Sequence, residues 1–148
     1  MTKLLLGFYA EAPYGKKADT DEGRRQRDQV HAATERLNHQ LNEAGAGRTL
    51  FVLGDYLQRA IAAEGRDRLR EVLQPQNPLV ELAQHTFNHV TIAPVPRRPD
   101  NQLVSPDVLR DEVTRTSTLI QTELGYDVVG LGAPLGYPGG IPESIAAD

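Results

Sequence analysis

Two histidines four positions apart, in the stretch His85-Thr86-Phe87-Asn88-His89, are the residues of this 148-residue sequence best suited to chemistry. They follow the apolar run Leu79-Val80-Glu81-Leu82-Ala83, which predicts a buried strand. If the chain turns helical where that strand ends, residues i and i+4 face the same way. Both imidazoles can then converge on one metal ion. Other reactive groups are few. There is no cysteine, which excludes thiol catalysis, disulfides and Cys-ligated zinc. His31 and His39 lie eight apart on a predicted helix and read as surface or edge residues. Asp55, just after a predicted strand, reads as a helix N-cap. Arg97-Arg98, in a proline-rich loop, reads as a solvated charge pair.

The elements around the histidines read as a repeating strand–helix pattern. Lys3 to Phe8 predicts a first strand, ending in the loop Tyr9-Ala10-Glu11-Ala12-Pro13-Tyr14-Gly15. Asp19-Thr20-Asp21-Glu22 is acidic, as suits a helix N-terminus. Val30, Ala33, Leu37, Leu41 and Ala44 then recur at helical spacing until Gly45 and Gly47. Thr49 to Leu53 predicts a second strand. A second helix runs from about Tyr56 to Leu73, weakened in its middle by Gly65. Val80 to Gln84 is the third strand. Between Thr91 and Pro106 lies a long loop with four prolines, and loops of that length are more often functional than not. Ser105 caps a third helix with Pro106 at its first position and Gly125 beyond its end. Asp127 to Leu131 predicts a fourth strand, followed by the glycine-rich loop Gly132 to Gly140. The fold class is therefore α/β, a parallel βαβαβαβ unit with right-handed crossovers. Its chemical-looking loops (9–15, 85–89 and 132–140) all follow strands, so they share one edge of the sheet and predict a single site there.

Composition bounds the partners. Hydrophobic residues make up 39% and charged residues 24%, as in an ordinary soluble globular domain. The formal net charge of −4 argues against nucleic acid or an anionic membrane surface as partner. The apolar run at the N-terminus is too short for a signal peptide, and no stretch approaches the ~20 apolar residues of a membrane span. A cytoplasmic protein of one domain, residues 1–148, is expected.

Taken together these loops resemble the polysaccharide deacetylase family (the NodB homology domain, carbohydrate esterase family four). His85-Thr86-Phe87-Asn88-His89 fits the family's second motif, His-Ser/Thr-x-x-His. Thr49-Leu50-Phe51-Val52-Leu53-Gly54 is similar to its second strand. Gly132-Ala133-Pro134-Leu135-Gly136 is similar to the third motif, Arg-x-Pro-x-Gly, and Tyr9-Ala10-Glu11-Ala12-Pro13 stands in place of the first motif, Asp-Asp-Gly-Pro or Asp-x-Glu. The resemblance implies that the chain is the N-terminal part of a distorted (β/α) barrel, with the C-terminal part of that barrel absent. It implies a divalent metal, zinc first, held by His85 and His89 with Glu11 as a third ligand. It implies metal-dependent hydrolysis of an N-acetyl or related C–N amide bond on a carbohydrate, with Tyr9, Tyr14, Pro134 and Leu135 as substrate contacts. Two departures bear on activity. The family's catalytic base position holds Ala10 in one alignment and Tyr9 in the other, and the third-motif Arg is Gly132. The family's later motifs, which carry an acid histidine, find no match. Losing base and acid should cost several orders of magnitude, each role being worth roughly 10²–10⁴-fold. Hydrolysis is therefore expected to be weak or lost, and the alternative is a non-catalytic carbohydrate- or partner-binding pseudoenzyme. An open parallel sheet also leaves edges to pair, so a homo-oligomer is expected. A receiver-like regulatory domain fits poorly, since it needs an acidic pair after the first strand and only Asp55 is available.

Overall fold

A computed structural model describes residues 5–93 and 102–135 of the chain. Its elements run β1 (Gly7–Ala10), a short 3-10 helix (Gly15–Asp19), α1 (Asp21–Glu43), β2 (Arg48–Val52), α2 (Gly54–Glu64), α3 (Arg66–Leu73), β3 (Val80–Gln84) and α4 (Pro106–Leu124). The three strands form one parallel sheet in the order β1-β2-β3. The α/β class and parallel sheet expected from the sequence are thus present.

Alternation along the strands decides which residues meet the helices. Register pairs Phe8 with Leu50 and Leu50 with Leu82, and likewise Ala10 with Val52 and Val52 with Gln84, so these rows share one face. That face is covered. Leu50, Val52 and Leu82 pack with Tyr56, Leu57 and Ala60 of α2, Leu69 and Val72 of α3, and Ile120 and Leu124 of α4 in one continuous core. Each fully buried leucine contributes about 1.5–3 kcal/mol relative to exposure. The opposite face carries Gly7 and Tyr9, Thr49 and Phe51, and Glu81 and Ala83. Tyr9 there is 54% exposed.

Four expectations need correcting. Of the first strand expected over Lys3 to Phe8, Lys3 and Leu4 lie outside the described residues; among the described residues the strand is Gly7–Ala10, where it pairs with β2, so it runs two residues further than expected. The helix expected over Tyr56 to Leu73 is two helices, broken at Gly65, whose φ of +89° only glycine adopts freely. The segment expected as a fourth strand lies parallel beside β3 but forms a single bridge, Gln84 to Leu131. Two hydrogen bonds carry that bridge: Gln84 N–H donates to Gly130 O at 2.9 Å, and Gly132 N–H donates to Gln84 O at 2.9 Å. Finally, residues 85–89 are not helical. α4 is as expected, with the Ser105 hydroxyl accepting from Val108 N–H and Gly125 closing it at φ +70°. Arg97, Arg98 and the loop beyond Leu135 lie outside the described residues.

Candidate metal centre

The histidine loop leaves β3 and must turn both imidazoles to one side without a helix. Two residues in the left-handed region do this, Thr86 at φ +62° and His89 at φ +59°. A β-branched residue at positive φ is strained, at a cost of about 1–3 kcal/mol, so neighbours must hold it. Three elements supply that hold. The first N–H groups of α2 donate to the loop's carbonyls, Gly54 N–H to Thr86 O at 3.0 Å and Asp55 N–H to Phe87 O at 2.9 Å. The Gln84 side chain of β3 accepts from Thr86 N–H at 3.0 Å. From α4, the buried Glu112 carboxyl accepts from Phe87 N–H at 2.9 Å, Asn88 N–H at 2.6 Å and the Asn88 side-chain amide at 2.6 Å.

Glu11 reaches the same point from the end of β1. One of its carboxylate oxygens lies 3.0 Å from His85 Nε2 and 3.3 Å from His89 Nε2. The potential ligand atoms of Glu11, His85 and His89 all fall within 4.8 Å of one another. His85 is buried, His89 nearly so, and Glu11 half-buried. His85 Nδ1 sits 2.6 Å from the Gly132 carbonyl, which can only accept. The Nδ1 position therefore carries the proton and Nε2 faces Glu11, as an N–H or as a lone pair. Hydrogen bonds from His85 and then His89 hold the Glu11 carboxyl well below the usual carboxylate range, to about 2, against the opposing effect of burial. Glu11 is thus charged at any pH near neutrality.

Strand alternation separates the two candidates for the base position. Ala10 is 2% exposed and points into the core between sheet and helices. Tyr9 is on the open face, its ring 4.8 Å from that of His85 and 5.2 Å from that of Phe51. Only Tyr9 faces the histidines, which fits the Asp-x-Glu register. Tyr14 stacks on His89, ring centroids 5.4 Å apart and planes inclined by 20°. Tyr9 and Tyr14 therefore border the cluster. Pro134 is buried and Leu135 half-buried at φ +72°. Neither is joined to the cluster by a hydrogen bond or ring contact among the described residues.

Three residues take roles other than those expected. Asp55 is not an N-cap; Leu53 holds that position. Asp55 instead accepts from Gly15 N–H at 2.7 Å and pairs with Arg59 at 2.9 Å, tying the loop after Glu11 to α2. His31 is not a surface residue but is 2% exposed, with Nδ1 3.1 Å from a Glu64 carboxylate oxygen. Glu112 drew no notice in the sequence. Its partners are backbone N–H groups 24 and 25 residues away, and no local pattern announces such a pairing.

The sequence profile of polysaccharide deacetylases matches residues 21–145. The chain belongs to the polysaccharide deacetylase family. The matched stretch of this deacetylase-family chain contains His85, His89 and Gly132 but begins after Glu11. No curated protein matches it. Among solved structures it is similar to the peptidoglycan deacetylase PdaC from Bacillus subtilis, at 19% identity and a TM-score of 0.57 over 97% of this chain and 53% of that one. It is similar also to BA3943 from Bacillus anthracis, described as a family four carbohydrate esterase pseudoenzyme, at 15% identity and a TM-score of 0.60 over 97% of this chain and 38% of that one. A family four carbohydrate esterase from Streptomyces lividans, solved with acetate, gives 14% identity and a TM-score of 0.53, covering 97% and 56%. At these identities the likeness is one of fold. The chain spans about half the length of PdaC and of the Streptomyces esterase, and less of BA3943. The deacetylase-family barrel is therefore represented in part.

Proposed function

We propose that Glu11, His85 and His89 form a divalent-metal centre, with zinc the best-suited ion, that binds an N-acetylated or related amide of a carbohydrate. The observation that carries this reading is the approach of one Glu11 oxygen to both imidazole Nε2 atoms, 3.0 and 3.3 Å away. One carboxylate and two imidazoles are the donor set of open, catalytic zinc sites, which keep a position for substrate. The Gly132 carbonyl on His85 Nδ1 supports it, because a ligating histidine ordinarily has its other nitrogen fixed in this way. A bound ion would polarise the amide carbonyl as a Lewis acid. Around it Tyr9 and Tyr14 offer aromatic faces, 54% and 41% exposed, against which a pyranose ring can lie.

The chain's own residues supply little acid–base chemistry for the hydrolysis itself. Tyr9 stands where a carboxylate base is needed, and Gly132 brings no side chain to orient one. Hydrolysis of the C–N bond is therefore weak or lost, and the site's remaining capacity is to bind. A deacetylation assay on chito-oligosaccharide with the purified chain tests this. Zinc-dependent turnover close to that of an intact family enzyme, abolished by His85→Ala, would overturn the loss of activity. Traces or no turnover, with binding of the oligosaccharide retained, are expected.

A further inference from the structure

An open cleft of about 680 Å³ lies beside the histidine loop, bordered by α1, α2 and α4. Phe87 and Asn88 of the loop form part of its wall, and four arginines line it: Arg24 and Arg27 from α1, Arg59 from α2 and Arg115 from α4. Its size falls in the range of small-molecule pockets, roughly 300–1,000 Å³. Two carboxylates share the wall, Asp19 and Asp55, and both are engaged. Arg59 donates from Nε to Asp55 at 2.9 Å and from a terminal nitrogen to Asp19 at 2.7 Å, and Gly15 N–H donates to Asp55 as well. Arg24 pairs with Asp21 and is largely solvated. The unspent capacity is on the donor side. Arg27 is 6% exposed, and among the described residues only its Nε is bonded, to Glu64. Its two terminal nitrogens keep contact with solvent, and the cleft is the solvent that Arg27 borders. Arg115 lays its guanidinium 3.5 Å over the Phe87 ring centroid and donates to Gln58 at 3.3 Å; no carboxylate pairs with it among the described residues. Exposed arginines alone make a solvated surface. A buried guanidinium among them is different, because withdrawing it from water is costly unless its donors find acceptors.

We propose that this cleft is an anion site for a phosphate group, held by Arg27 and Arg115 with Arg59 beside them. Guanidinium forks match phosphate oxygens two at a time. Donors supplied by three different helices suit a tetrahedral anion with acceptors on every side better than a planar carboxylate. Counted with Glu64 and Asp21, the charges around the cleft balance, so the attraction is local: spare N–H groups on a shielded guanidinium, not a field over the whole protein. The chain's net charge of −4 does not oppose it at this range. The site stands apart from the histidine centre and does not depend on a metal there.

The test is calorimetric titration of the full, metal-free chain with inorganic phosphate at fixed ionic strength, so that binding to an ion at the histidines plays no part. Saturable one-to-one binding is expected, with a Kd on the order of 1 mM or tighter, as two charge-assisted hydrogen bonds allow. Binding should shift the Arg27 Nε–H resonance. Arg27→Gln and Arg115→Gln should each weaken it roughly 10–100-fold. Arg36→Gln removes the same charge from an exposed position of α1 outside the cleft and should leave it unchanged. Arg27 also pairs with Glu64, so its loss costs stability; Arg115→Gln breaks no ion pair and decides the matter should Arg27→Gln fail to fold. Glucose 6-phosphate, titrated in parallel, separates the sources of the anion: tighter binding than inorganic phosphate assigns the cleft to a phosphorylated sugar, and equal binding assigns it to free phosphate. Absence of saturable binding, or binding lowered equally by Arg36→Gln and Arg115→Gln, overturns the proposal.

Discussion

Replacing Glu112 by alanine should unfasten the histidine loop without touching either imidazole. The carboxyl accepts three hydrogen bonds, from Phe87 N–H, Asn88 N–H and the Asn88 amide. Phe87 is 3% exposed, so its N–H would be left in the interior without a partner, whereas exposed Asn88 can turn to water. A buried donor left unsatisfied costs about 1–3 kcal/mol. With the Asn88 contacts added, the loss comes to about 2–4 kcal/mol. One kcal/mol moves the midpoint of a domain this size by about 2–4 °C, so the fall should be on the order of 10 °C by circular dichroism. The strained backbone at Thr86 and His89 would then relax, and zinc affinity should drop about 10–100-fold. Glu112→Gln keeps one carbonyl oxygen for the two backbone N–H groups and should fall between wild type and alanine. Hydrogen exchange at Phe87 and Asn88 reads the loop itself. A midpoint within about 1 °C of wild type, with unchanged exchange at those two amides, would refute the reasoning.

Two further outcomes follow from buried polar contacts. Asp55→Ala removes the acceptor for Gly15 N–H and the partner of Arg59, so the loop carrying Glu11 and Tyr14 should loosen; faster exchange at Gly15 and a stability loss of about 1–3 kcal/mol are expected, and no change in either would contradict the role. Burial lowers the pKa of His31 below its ordinary 6.5, outweighing the opposing pull of Glu64. The unfolded chain therefore binds the proton more readily, and His31's contribution to stability is lost as pH falls below about 6.5. Urea titrations between pH 7 and 5 should show a steeper decline in wild type than in His31→Gln, and parallel declines would rule the linkage out.

Much of the arrangement was legible in sequence because strand signals and loop positions are local. Leu82, in the run that reads as a buried strand, is buried; α4 begins at Ser105-Pro106 and ends at Gly125 as its caps require. The loops after β1 and β3 and the start of the third loop at Gly132 do gather at one sheet edge, because parallel strands place their C-terminal ends together. What was not legible depends on distant partners. The histidines converge through two left-handed residues clamped by Glu112 and the N-terminus of α2, and not through a helical turn. His31 lies inside because α1 packs against Tyr56 of α2 and places it beside Glu64, a pairing 33 residues apart. The fourth strand's apolar pattern was genuine, yet only one residue of it completes a bridge. Choosing Tyr9 over Ala10 as the site-facing residue required the observed register, since a one-residue shift exchanges the two faces.

The central claim is that Glu11, His85 and His89 hold a metal ion. It is tested most directly by zinc titration of the purified chain, followed by elemental analysis, beside His85→Ala/His89→Ala. One zinc per wild-type chain, absent from the double variant, is the result expected. No bound zinc in a folded wild-type chain would contradict it and leave the cluster as hydrogen-bonded structure.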